Sequence, residues 1–147
     1  MLIGREELQR LIPHQGTMCL LDAVESWDAS SLRCSTQTHR DSANPLRRDG
    51  RLAALHLAEY GAQATAVHGG LLARHRGATA PPGFLASVRD LKLEVTRIDD
   101  IDGVLMVQAD LMMSGEGGWM YAFRVTTDGR LLASGRVSVI LMPEQGK

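Results

Sequence analysis

The sequence predicts an α+β fold in which an antiparallel β-sheet wraps around one long central α-helix. Two patterns lead to this prediction. The stretch Leu52–Ala73 is apolar over about six helical turns, with Glu59 as its single formal charge, which is typical of a buried helix. Residues 84–142 alternate between apolar and polar positions in runs that short turns separate, which is typical of hairpin-linked strands. Short connections and a single long helix favour a sheet that packs on that helix.

The first third of the chain predicts a short helix and a hairpin. Residues 4–12 place Leu8, Leu11 and Ile12 at helical spacing, and this helix is expected to end before Pro13. Residues 18–27 are extended and apolar, and residues 31–39 alternate, so the two runs predict a pair of strands that a short turn joins.

The central helix is expected over about residues 52–75, with a break around Gly69–Gly70. The segment 40–51 before it is polar and predicts a loop. The strands that follow are expected at 84–98, 104–113, 119–127 and 131–142, and Asp128-Gly129 favours a type I′ turn between the last two.

Length, charge and hydropathy indicate how many domains the chain has and which classes of protein it resembles least. The 147 residues suffice for one core, and we assign residues 1–147 to a single domain. The net charge of −1 gives no indication of nucleic-acid binding. Because the apolar stretch contains a Glu, a Gln and two His, we expect no membrane span. The N-terminus has no apolar signal-peptide core, so a cytoplasmic location is expected.

The polar residues of the central helix form the first candidate site. His56, Glu59 and Gln63 follow one another at helical spacing, which places them on one side of the helix. A carboxylate within a buried helix is costly to ionise without a partner. We therefore expect a buried Glu59 with a chemical role, or one satisfied by neighbouring structural groups.

Two segments resemble the hotdog-fold 3-hydroxyacyl-[acyl carrier protein] dehydratases of fatty-acid synthesis. Ile12-Pro13-His14-Gln15 followed by Leu20-Leu21-Asp22 resembles the family's L-P-H-R…L-L-V-D segment. Glu59-Tyr60-Gly61-Ala62-Gln63 resembles its E-A-x-A-Q motif, whose Glu is catalytic. The resemblance implies a hotdog fold and a substrate carried as a thioester of an acyl carrier protein or coenzyme A. It also implies a lyase that needs no cofactor and no metal.

The sequence departs from this family where the catalytic histidine is expected. Pro45 stands at that position, fourteen residues before Glu59, and Leu52-Ala53-Ala54 replaces the family's second F-P-G signature. The segment Asn44-Pro45-Leu46-Arg47 through Gln63 is instead similar to a divergent branch, the dehydratase-like proteins of aryl polyene clusters. Members of that branch pair with a second, more typical dehydratase subunit.

Three histidines are candidates for the missing base. His39 precedes the loop that would carry the family's histidine, and His56 lies one helical turn before Glu59. His14 matches a family position with a structural role. Asn44 could donate a hydrogen bond to a thioester oxygen but could not abstract a proton. Each histidine has a structural alternative as a satisfied core residue.

The remaining predictions concern binding partners, the cysteines and the type of function. Arg47 and Arg48 lie in the loop before the helix and could bind an acidic carrier protein or the phosphates of coenzyme A, or they could be ordinary surface charges of a solvated loop. Gln63 could contact substrate beside Glu59. Cys19 and Cys34 have neither metal-ligand nor redox-motif spacing. Three functions stay open: a dehydratase acting as a homodimer or heterodimer, a degenerate partner subunit of a hotdog heterodimer, and an acyl thioesterase.

Overall fold

The computed structural model describes residues 2–12, 16–77 and 84–141. Within these ranges one six-stranded antiparallel sheet packs against one long helix, which confirms the predicted hotdog architecture. The helices are α1 (Arg5–Gln9) and α2 (Leu57–His75), and the strands are β1 (Ala23–Trp27), β2 (Ser31–Thr36), β3 (Phe84–Leu93), β4 (Leu105–Gly115), β5 (Gly118–Thr127) and β6 (Arg130–Leu141).

The sheet has the strand order β1-β2-β4-β5-β6-β3, with every neighbouring pair antiparallel. The hairpin between β5 and β6 turns at Asp128 and Gly129, both of which have positive φ, as a type I′ turn requires. At one edge of the sheet, Ile3 pairs with Val24 of β1. At the other edge lies β3, which pairs with β6 alone among the described strands.

The core lies between α2 and the inner face of the sheet. Alternate residues of β4, β5 and β6 are buried, as the pleat of a half-buried strand dictates. The buried side of the helix and the inner side of the sheet supply the largest members of this core: Leu57, Tyr60, Val67, Leu105, Tyr121, Phe123 and Leu132.

Two glycines make room for the Phe123 ring at the centre of this core. A Cβ atom at Gly61 would lie 2.5 Å from Phe123 Cγ, and one at Gly135 would lie 2.8 Å from Phe123 Cε1. The ring therefore occupies the space between the helix backbone and the neighbouring strand that side chains would otherwise fill. Gly61 of the E-Y-G-A-Q sequence is thus required for packing against the Phe123 ring.

The central helix begins later than the expected residue 52. One turn of 3-10 helix covers Ala54–His56, and the α-helix proper starts at Leu57. The residues before it are extended because they pair with the loop after β3: Leu52 donates its N–H to Asp99 Oδ1 at 2.8 Å, and Ala54 donates its N–H to Thr96 O at 3.0 Å. The apolar stretch is therefore longer than the helix, because the extended residues before the helix are buried as well.

Other boundaries differ from the expectations as well. The helix continues without a break through Gly69–Gly70 to His75, and α1 is shorter than residues 4–12. The first strand starts at Ala23, since residues 16–18 form a 3-10 turn. His39 lies in a 3-10 turn (Thr38–Arg40) after β2, which itself ends at Thr36.

The prediction for His14 cannot be followed in space, because residues 13–15 lie outside the described residues, as do residues 78–83 and 142–147. Both Cys19 and Cys34 are buried free thiols. In the described ranges, no helix has the length and hydropathy that crossing a membrane requires.

Candidate functional site

Glu59 lies at the exposed N-terminal end of α2. The expectation of a buried carboxylate is wrong for the single chain: Glu59 is exposed, and within residues 2–12, 16–77 and 84–141 it has no hydrogen-bond or ion-pair partner. Leu55, one turn earlier, is 59% exposed. A free carboxyl group thus lies beside an exposed apolar side chain at the start of the helix.

The rest of the same helix side is covered by the N-terminal part of the chain. Gln63 binds the segment Met18–Leu20, Gly70 contacts the Leu11 backbone, and Arg74 pairs with Glu7 at 2.6 Å. A Cβ atom at Gly70 would lie 2.8 Å from Leu11 O, so this glycine is needed for the close approach. The contacts with the N-terminal segment begin at Gln63. Leu55 and Glu59, on the same side of the helix, lie before this point and are exposed.

Gln63 is buried and both ends of its amide are occupied. Its Oε1 accepts the Leu20 N–H at 2.8 Å, and its Nε2 donates to Met18 O at 2.8 Å. The amide therefore ties the chain before β1 to the middle of the helix. The predicted contact between Gln63 and substrate stays a prediction, since both bonds go to backbone groups of this chain.

His39 is fully buried and points away from solvent. Its Nε2 lies 2.9 Å from Ile101 O, a contact that requires a proton on Nε2. The Nδ1 lone pair is then buried, and it has no hydrogen-bond partner in the part of the chain that the structure describes. Burial lowers the pKa of His39, and the neighbouring Arg40 and Arg47 act in the same direction.

His56 ends the 3-10 turn and caps α2, where it is half-buried. Its side chain forms no hydrogen bond, ion pair or ring contact with the described residues, and neither does that of Glu59 one turn later. The structure thus leaves His56 and Glu59 as two uncommitted polar groups at the same end of the helix, whereas His39 is held by the loop at Ile101.

A buried polar network that the sequence did not reveal fills the space beside Asn44. Tyr60 is fully buried, and its hydroxyl lies 2.9 Å from Thr38 Oγ1 and accepts Asn44 Nδ2 at 3.2 Å. Asn44 also donates to Thr38 O at 2.9 Å. Burial raises the pKa of Tyr60. The only signal was a Tyr within an apolar helix, since a buried phenol hydroxyl requires a partner.

Arg47 and Arg48, in the loop of residues 40–51 before α2, donate hydrogen bonds to backbone groups of that same loop region. Arg47 donates to the carbonyl oxygens of His39, Asp41 and Gly50, at 3.1, 2.9 and 3.0 Å. Arg48 donates to Arg47 O at 2.9 Å. The guanidinium of Arg47 therefore fixes the loop conformation, and its predicted contact with substrate remains untested.

A second buried histidine, His68, lies in the middle of α2. Its Nε2 lies 2.8 Å from Asp28 O in the turn between β1 and β2, and its Nδ1 lies 2.7 Å from the Tyr121 hydroxyl. The carbonyl fixes the proton on Nε2, so Nδ1 accepts from Tyr121. Burial lowers the pKa of His68 and raises that of Tyr121.

These two histidines predict a loss of stability in mild acid. Because the folded-state pKa values of His39 and His68 lie below the ordinary value near 6.5, the unfolded chain binds protons that the folded chain does not. Stability is complete above pH about 6.5 and is lost as the pH falls below it, by up to about 1.4 kcal/mol per histidine and pH unit. Denaturant unfolding at pH about 7.5 and about 5.5 measures this slope.

The control for this prediction replaces the exposed Ser42, which does not titrate, by alanine, and this change should preserve the pH slope. The double variant His39→Gln/His68→Gln should flatten the slope, even if it lowers stability at every pH. An equal slope in the double variant and in the parent chain would contradict the assignment.

An open groove of about 740 Å³ runs beside the helix entry, at the end of the sheet where β5 turns into β6. It is lined by residues of both charges, among them Arg97, Asp100, Asp102, Asp128 and Arg130. Ile101, whose carbonyl binds His39, also lines it. Over the described residues, no three His, Cys, Asp or Glu side chains are grouped as a metal site.

A family model identifies the family of the chain, and solved structures share its fold. The family model for ApeP-like proteins, described as ApeP dehydratase, matches residues 6–146. A chain of the dehydratase heterocomplex ApeI:P from Xenorhabdus doucetiae superimposes with a TM-score of 0.82 at 23% identity, over 94% of this chain and 91% of that one. None of the curated proteins matches the sequence.

More distant structures share the hotdog architecture. A hypothetical thioesterase protein with coenzyme A from Streptococcus pneumoniae TIGR4 has a TM-score of 0.60 at 11% identity, over 84% of this chain and 87% of that one. AziG from S. sahachiroi has a TM-score of 0.56 at 15% identity, over 81% and 90%. At these identities the likeness shows the fold alone.

Proposed function

The chain belongs to the ApeP-like dehydratase family, and from that premise we propose that it is one subunit of a two-subunit dehydratase acting on 3-hydroxyacyl thioesters. The second subunit is another hotdog protein, and the substrate is carried by an acyl carrier protein in aryl-polyene-type biosynthesis. Glu59 is the group that this chain contributes to the shared site. The expected place of action is the cytoplasm.

The uncovered end of α2 is the observation that carries this proposal. The N-terminal part of the chain covers the helix from Gln63 to Arg74 but leaves Leu55 and Glu59 exposed. A 59% exposed leucine beside a free carboxyl group is suited to an interface, because a partner there would bury the leucine and enclose the carboxyl. The relative from Xenorhabdus doucetiae belongs to a heterocomplex, which supports the existence of a second subunit.

The chemistry also requires a second contributor. Dehydration removes the C2 proton and the C3 hydroxyl, so it needs a base, an acid for the leaving hydroxyl and a donor to the thioester oxygen. Glu59 would protonate or orient the hydroxyl. His39 donates its Nε2–H to Ile101 O, and its Nδ1 lone pair is buried, so neither nitrogen is open to a substrate in the single chain. The N–H of Ala54, which aligns with the last residue of the family's F-P-G signature, is bound to Thr96 O. The partner subunit would supply the base and this donor, with His56 as the alternative base from this chain.

The proposed substrate is a thioester because the family acts on that class. The relative from Streptococcus pneumoniae, a hypothetical thioesterase with coenzyme A, shows that a hotdog protein of this size can hold a thioester carrier. Asn44 was expected to bind the thioester oxygen, and Arg47 and Arg48 were expected to contact the carrier. Their side chains now stabilise the loop of residues 40–51, so this loop would have to open before they could make these contacts.

The experiment measures turnover of a 3-hydroxyacyl thioester by the purified chain, by a typical hotdog dehydratase subunit, and by both together. The proposal predicts that enoyl product forms at least about 10-fold faster with both proteins than with this chain alone. Equal rates for this chain alone and for the mixture would make it an autonomous dehydratase. Release of free thiol without enoyl product would make it a thioesterase, and either result contradicts the proposal.

A further inference from the structure

The outer face of the sheet, turned away from α2, carries a group of four cationic side chains. Arg124 of β5 lies between the buried Phe123 and Val125, so it points to the opposite side of the sheet. Arg136 of β6 is exposed in the same way, and Arg89 and Lys92 of β3 are exposed on the same face. We call Arg89, Lys92, Arg124 and Arg136 the basic sheet patch.

The strand register brings these four charges together. Arg89 is directly opposite Arg136 on the neighbouring strand. Ser134 of β6 is opposite Arg124 on one side and Lys92 on the other, which places both cations diagonal to Arg136. Opposite side chains lie about 5 Å apart and diagonal ones about 7 Å apart between Cβ atoms, so the patch is about 10 Å across.

Little within the chain neutralises the patch. Arg136 Nε lies 3.8 Å from Asp90 Oδ2, and this contact is exposed. For Arg89, Lys92 and Arg124 the described residues provide no hydrogen-bond or ion-pair partner. Two arginines directly opposite on adjacent strands repel each other, and folding alone gives no reason to place them so. Asp110 of β4 is diagonal to Arg124 on the same face but forms no ion pair with it among the described residues, so four cations face two neighbouring carboxylates, Asp90 and Asp110.

Beside the patch lie side chains that favour a protein partner. Met120 and Ala122 of β5 are half-buried on the same face, and Ala122 is directly opposite Arg136. Met112 of β4 is 59% exposed. Methionine and arginine are enriched in protein–protein interfaces, whereas a nucleic-acid site would call for a basic surface over more of the chain.

We propose that the basic sheet patch binds the acidic surface of the acyl carrier protein, an assignment that rests on the proposed function. Carboxylates four residues apart on a helix have Cβ atoms about 6 Å apart, which fits the spacing of Arg124 and Arg136. The loop arginines, which we expected in this role, are less suited to it because Arg47 is occupied by three carbonyl oxygens. Docking by the patch would bring the carrier to the β3 side of the sheet.

The test measures binding of the unacylated carrier protein to the full chain by fluorescence anisotropy. The charge-reversal pair Arg124→Glu/Arg136→Glu is compared with Arg10→Glu/Arg76→Glu, which changes the charge equally at two exposed arginines outside the sheet. We expect the first pair to weaken binding at least about 10-fold and the second at most about 2-fold. Raising the salt from about 50 to about 300 mM should weaken binding of the parent chain at least about 5-fold.

Equal losses in the two pairs, no binding at low salt, or tighter binding of a DNA duplex probe would overturn the assignment. A parallel assay keeps it separate from the proposed function. The two-subunit assembly converts a small 3-hydroxyacyl thioester that has no carrier protein, and Arg124→Glu/Arg136→Glu should leave that rate unchanged. Absence of this turnover would refute the dehydratase proposal whatever the carrier protein does.

Discussion

Replacement of Glu59 by glutamine is expected to lower the dehydration rate of the two-subunit assembly at least about 100-fold while the assembly still forms. Removal of an acid or base that acts in the transition state typically costs a factor of 10² to 10⁴. Glutamine keeps the size of the side chain but can neither donate nor accept the proton. Because Glu59 is exposed and unpaired in the described part of the chain, the free energy of unfolding should change by less than about 0.5 kcal/mol.

Glu116 supplies the matched control, since it is an exposed carboxylate in the turn between β4 and β5. Glu116→Gln should leave turnover within about 2-fold of the parent assembly. His39→Gln and His56→Gln, measured in the same assay, distinguish a base from this chain from one in the partner. Full activity in Glu59→Gln would show that this chain contributes no catalytic carboxyl, and the degenerate-subunit alternative would then stand.

Replacement of Gly61 by alanine is expected to destabilise the fold by about 1–3 kcal/mol, although alanine normally favours a helix. The added Cβ would lie 2.5 Å from Phe123 Cγ, and the ring has little room to move away because its far end already lies against the backbone at Gly135. Strain from overpacking therefore outweighs the gain in helix propensity. Denaturant unfolding measures the difference in free energy.

Gly69 provides the control on the same helix, because a Cβ there would have no neighbouring atom within 4 Å. Gly69→Ala should stabilise the chain by about 0.5–1 kcal/mol. The smaller side chain in Phe123→Leu should reduce the penalty of Gly61→Ala when both changes are combined. Equal effects of alanine at residues 61 and 69 would show that Phe123 does not limit the space at Gly61.

The fold was predictable because it rests on local patterns that tertiary structure did not override. The alternating runs of β4 to β6 and the positive-φ turn at Asp128-Gly129 follow from sequence alone. The start of α2 was not predictable, because Leu52 and Ala54 are held extended by hydrogen bonds to a loop more than forty residues away. The extended segment and the helix are both apolar because both are buried, so the apolar pattern does not show where the helix begins.

The site was harder to predict because coverage of a helix depends on distant segments. Glu59 and Gln63 lie one turn apart, yet Gln63 is buried under Met18 and Leu20 whereas Glu59 is exposed. The helical spacing correctly predicted that the two residues share one side of the helix. It did not predict which of them the N-terminal segment buries. The roles of Tyr60 and His68 depend on partners in other elements, Thr38 and Tyr121, which no local pattern identifies.

The central claim is that a second hotdog subunit covers the N-terminal end of α2, and thiol labelling of Leu55→Cys measures this directly. The native Cys19 and Cys34 are fully buried and should stay unlabelled. Labelling at residue 55 should be fast in the chain alone and at least about 10-fold slower in the assembly, whereas Met113→Cys, at a position 65% exposed on the β4–β5 hairpin, should react equally in both. Equal labelling of residue 55 with and without the partner, or protection already present in a dimer of this chain alone, would contradict the claim.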